Sequence, residues 1–88
     1  MVRIWGKVMK KDKILKDFVF YKEDEIDWSA FFTYLTEICA ALDVPTPVLL
    51  KTHVLNFAKY NFVKFTASDF IEPLPVGDRL VLENIAER

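Results

Sequence analysis

DWSAFFTYLTEICAAL, residues 27–42, is the stretch from which the rest of the chain is read. Trp28, Phe31, Phe32, Leu35, Ile38, Cys39 and Leu42 recur at steps of three and four, so an α-helix gathers them on one broad apolar face that something must cover. Asp27 is placed to accept a hydrogen bond from a free first-turn N–H, with Ile26 before it spaced to pack on Phe31. Glu23, Asp24 and Glu25 put negative charge near the positive end of the helix dipole. Beyond Leu42, Val44 precedes Pro45, and the helix stops.

Upstream, Val2 to Tyr21 reads as a β-hairpin turning at Lys11-Asp12. Pairing Lys10 with Lys13 sets Val8 opposite Leu15, Trp5 opposite Phe18 and Ile4 opposite Val19. One face then carries Val2, Ile4, Gly6, Val8, Leu15, Asp17, Val19 and Tyr21, and suits the core beneath the helix. The other carries Arg3, Trp5, Lys7, Met9, Ile14, Lys16, Phe18 and Phe20, rings mixed with cations. The sorting is conditional on register, because a slip of one residue moves every side chain to the opposite face.

Downstream, Thr46 to Leu50 reads as a short buried strand and Thr52 to about Asn61 as a second helix with Thr52 as its cap. Thr66-Ala-Ser-Asp69 has the form of a cap with an acidic residue three positions on, so a helical turn is expected there. Pro73, Pro75 and Gly77 make an irregular loop, Arg79 to Ile85 a last strand, and Ala86 to Arg88 should fray. The opening RIWGKVMKKDKILKD, with FTASDFIE at Phe65 to Glu72 and the terminal strand, resembles a family of small uncharacterised bacterial proteins of about this length. The resemblance implies one complete domain and carries over no catalytic or binding residue.

The fold expected is therefore a single α+β domain over residues 1–88: two layers, a mixed four-stranded sheet with two helices on one face, in the order ββαβαβ. Its expected core is Ile4, Val8, Leu15, Val19, Phe31, Phe32, Leu35, Ile38, Cys39, Leu42, Val48, Leu50, Val54, Phe57, Leu80 and Leu82. Apolar residues at 52% and aromatics at 15% exclude disorder and slightly exceed the needs of one modest core.

A net charge of −1 directs the chain to neither nucleic acid nor anionic lipid. A single cysteine fits a reducing compartment, and no apolar run approaches the roughly 20 residues of a membrane span, so a cytoplasmic protein without membrane contact is expected. Cys39 and His53 form the one conceivable nucleophile and base, but Cys39 sits on the core stripe, where a thiol is inert. One His and one Cys make no zinc site, Glu23 to Asp27 lacks the spacing of a calcium loop, and two glycines make no phosphate cradle. No enzyme, metal or cofactor is expected. The expectation is an interaction module, a homodimer or a binder of another protein, acting through Arg3, Trp5, Lys7, Lys16, Phe18 and Phe20. Single-stranded nucleic acid is the alternative ligand for that face.

Overall fold

The computed structural model describes residues 1–86; of the expected frayed end, Glu87 and Arg88 lie outside the described residues. Strands β1 (Val2–Lys10) and β2 (Lys13–Lys22) are followed by a 3-10 turn at Trp28–Ala30 and by helices α1 (Phe31–Leu42) and α2 (Lys51–Tyr60). Strand β3 (Phe62–Thr66), a second 3-10 turn at Ala67–Asp69 and strand β4 (Arg79–Asn84) complete the chain. The α+β fold, the four-stranded sheet and the two helices on one face are as the residue pattern implies. The sheet order is β2-β1-β4-β3, and every pairing is antiparallel where a mixed sheet was expected. No parallel crossover arises, because β3 and β4 are neighbours joined by a connection that doubles back.

The order ββαβαβ holds with the 3-10 turn Ala67–Asp69 as its last helical piece, but different segments fill the middle. Thr46 to Leu50 is not a strand. It is a linker that seals the edge of the core: Val44 and Pro47 are buried and Leu49 packs on the core, while Val48 and Leu50 face outward. Its one ladder-like bond is Val48 N–H to the Asp69 carbonyl at 2.8 Å. The third strand is Phe62–Thr66, reached after Asn61 ends α2 in the left-handed region at φ 63° with its N–H on the Phe57 carbonyl.

Asp27 caps the first 3-10 turn: its carboxylate accepts from the Ser29 N–H at 3.0 Å, and Ser29 Oγ donates to it as well. Those hydrogen bonds hold the Asp27 carboxyl below its ordinary range. Its own N–H donates to the Tyr34 hydroxyl at 3.0 Å, which satisfies that hydroxyl in a buried setting; Phe32, expected in the core, is 53% exposed. The far end of α1 closes on Asp43 at φ 58°, with Val44 N–H on the Cys39 carbonyl. The N-cap of the second helix is Leu50 rather than Thr52: Leu50 N–H donates to His53 Nδ1 at 2.9 Å, so the histidine does the capping.

The core lies between the helices and one face of the sheet, with Ile4, Leu35, Ile38, Cys39, Phe57, Phe65, Leu80 and Leu82 fully buried. Gly6 sets how near α1 can come. A Cβ there would lie 2.5 Å from Ile38 Cγ2, so the missing side chain lets the helix seat on β1.

The hairpin departs from the expected register. Lys10 does pair with Lys13 and Met9 with Ile14, but a bulge follows. Beyond it Val8 pairs with Lys16, Gly6 with Phe18 and Ile4 with Phe20. Leu15 is the extra residue, and its insertion exchanges the two faces of the rest of β2. Phe20 is therefore buried against Tyr34 with ring centroids 5.2 Å apart. Leu15 and Val19, expected in the core, are exposed.

Candidate interaction face

Because side chains alternate along a strand, the register fixes the composition of the sheet face opposite the helices. It carries Arg3, Trp5, Lys7 and Met9 from β1, Asp17, Val19 and Tyr21 from β2, Arg79, Val81 and Glu83 from β4, and Phe62, Lys64 and Thr66 from β3. Val19 is 46% and Tyr21 50% exposed, and neither helix covers this side. The loop of Pro73 and Pro75, another conceivable cover, sends Leu74 against the core instead.

Of the six residues expected on this face, the structure keeps Arg3, Trp5 and Lys7 and moves Lys16, Phe18 and Phe20 to the helix side. The cause is the bulge at Leu15. Lys16 gains a partner by the exchange: its Nζ donates to the Leu42 carbonyl at 3.1 Å, one of the acceptors left open at the end of α1. Asp17, Val19 and Tyr21 take the vacated places. The signal that could have found them is Phe20, the largest apolar residue of β2 that can face Tyr34.

Trp5 is held in a defined pose. Its indole N–H donates to Asp17 Oδ2 at 2.9 Å, Lys7 Nζ stands 4.0 Å from its ring centroid, and Lys7 pairs with Glu83 at 3.1 Å. The Arg3 guanidinium lies 5.4 Å from the Tyr21 ring. Trp5 and Tyr21 are thereby held with both signs of charge around them, a surface suited to protein contact.

The residues weighed for chemistry are bonded elsewhere. Cys39 is fully buried, and burial pushes its thiol up to about 11 despite a hydrogen bond from Thr46. His53 uses Nδ1 for Leu50, has Nε2 3.7 Å from Asp69 and packs its ring, tilted by 44°, on Phe65 with centroids 4.5 Å apart. Among the described residues, no group of three or more His, Cys, Asp or Glu is placed to hold a metal ion, and no helix is long and apolar enough to cross a membrane. Comparison with family models, with curated proteins and with solved structures yields no match, so function rests on the geometry alone.

Proposed function

We propose that this chain is a small interaction module that self-associates, face to face, through the open side of its sheet. One observation carries the reading: Trp5, Val19, Tyr21 and Val81 lie side by side on the face away from both helices. Such a surface loses water most simply against a copy of itself. Charge permits the same partner. Arg3 and Lys7 stand beside Asp17 and Glu83, with Lys7 paired to Glu83 inside the protomer, so the face carries both signs and does not repel a copy of itself. A nucleic-acid strand finds less here than the sequence promised. Lys16, Phe18 and Phe20 are on the other side, and Lys7 is paired with Glu83.

The sheet is four strands wide at about 4.8 Å each and about 20 Å long, roughly 400 Å² per copy, which is the size of a weak, transient contact. Association in the micromolar range is expected. Sedimentation or light scattering from tens to hundreds of micromolar should report twice the chain mass, falling to the chain mass in Trp5→Ala. A strict monomer over that range, unchanged by the substitution, overturns the reading. So does salt-sensitive retention of single-stranded oligonucleotides by that monomer.

A further inference from the structure

A second surface lies at the outer edge of the sheet, where α2 runs beside β3. The outer strand β3 pairs with β4 alone. Asn84 N–H donates to the Asn61 carbonyl at 2.7 Å, which makes 61 and 84 a hydrogen-bonded pair. Antiparallel alternation then makes Val63 with Leu82 and Phe65 with Leu80 the next such pairs. The N–H and C=O of Phe62 and Lys64 are left directed at the open edge. Thr66 keeps this phase: its N–H also leaves the ladder and donates to Asp69 Oδ2 at 2.9 Å.

Beside that edge runs an open groove of about 340 Å³, walled by Thr52, Asn56 and Tyr60, one helical turn apart on α2, with His53 buried below them. A free strand edge facing a helix across a groove is the arrangement by which an extended chain adds as one more strand and sets alternate side chains into the groove. Charge selects the kind of chain. From Lys51 through Ser68 the sequence has Lys51, Lys59 and Lys64 and no Asp or Glu. Lys59 Nζ is 5.3 Å from the ring of Tyr60 in the groove wall. Asp69, the first carboxylate beyond, already accepts from Thr66. The other outer strand is guarded against such pairing by Lys13, Lys22 and its bulge.

We propose that the free edge of β3 beside the α2 groove binds an extended acidic peptide segment, which pairs with the backbone of Phe62 and Lys64, sets its carboxylates beside Lys64 on the open face of the sheet and turns its alternate, apolar side chains toward the groove. The test is an NMR titration of the full chain with a blocked heptapeptide alternating glutamate and valine. Its lysine–valine counterpart and an N-methylated version serve as controls. Saturation with the acidic peptide should move the Phe62 and Lys64 amides and slow their hydrogen exchange at least tenfold. The lysine peptide should bind at least tenfold more weakly, the N-methylated peptide should lose binding, and Lys64→Glu should weaken the acidic peptide at least tenfold with an unchanged thermal melt. Trp5→Ala, which removes the proposed dimer, should leave the titration as it was. The proposal fails if these amides do not move at millimolar peptide, if the shifts fall on β2, or if either control peptide binds as well as the acidic one.

Discussion

At Gly6 the sheet has no side chain to hold α1 away, and the geometry makes the consequence measurable. A methyl group there meets Ile38 Cγ2 at 2.5 Å and the Leu42 and Leu82 side chains at 3.5 Å. Gly6→Ala should lower unfolding free energy by about 1–3 kcal/mol, the usual cost of overpacking, read from urea midpoints. Ile38→Ala alone should cost about 2–5 kcal/mol, and the double variant less than the sum, because the second change removes the group that the first one strikes. Cys39 supplies a prediction in pH. Its thiol is protonated in the folded chain up to about 11 and ionises earlier once unfolded. A raised folded pKa gives stability that is complete below the unfolded value and lost as pH climbs through the folded one. Between about pH 9 and 11 the native chain should therefore lose stability relative to Cys39→Ala, at no more than about 1.4 kcal/mol per pH unit. Every other group is common to the two chains, so the comparison isolates the thiol. A gap that stays constant over that range would show that the thiol is not held neutral by burial.

Among the elements, β2 is where the register decides everything. Phe20 should behave as core and Val19 as surface, the reverse of regular pairing out to the strand end. Phe20→Ala should cost about 3–5 kcal/mol and Val19→Ala under about 1 kcal/mol in the same urea series. Equal costs, or the opposite ranking, would mean that the bulge at Leu15 is absent. The bulge was not legible from periodicity, because Ile14, Leu15, Phe18, Val19 and Phe20 offer apolar residues to both faces. By contrast α1 was legible from Phe31 to Leu42, since only helical spacing joins Phe31, Leu35, Ile38, Cys39 and Leu42, but its expected first turn is the 3-10 piece Trp28–Ala30, and Trp28 and Phe32, read onto the buried face, are exposed. The turn at Ala67–Asp69 was equally plain, Thr66 and Asp69 closing a reciprocal cap as their spacing implied. The third strand was hidden because Phe62 and Phe65 also continue the helical stripe of Val54 and Phe57. What separates them is Asn61, whose left-handed backbone ends the helix and restarts the chain with Val63 and Phe65 alternating inward. Thr46 to Leu50 misled for the converse reason: apolar content put it at the core, but Pro45 and Pro47 keep its backbone from a ladder. Of the candidate face, Arg3, Trp5 and Lys7 were legible on β1, and every residue drawn from β2 was displaced by that one inserted position.

For the whole molecule, the two layers leave an asymmetry that folding alone does not resolve. The helices bury most of one side of the sheet, with Phe18 left 38% exposed at its edge, while Trp5, Val19, Tyr21 and Val81 remain on the other. If that side closes on a second copy, association and folding are linked by mass action, and thermal stability must depend on protein concentration. A tenfold rise in concentration above the dissociation constant adds about 0.7 kcal/mol per chain, half of the ~1.4 kcal/mol carried by each dimer. For a domain of this size that raises Tm by about 3–5 °C. Calorimetry of the native chain at a series of concentrations should show that slope, and Trp5→Ala should melt at one temperature throughout. The slope matters and the absolute Tm does not, because removing the indole also frees Asp17 and loosens Lys7 within the protomer. A native chain whose Tm ignores concentration up to hundreds of micromolar would place the open face in contact with water alone, whatever its resemblance to an interface.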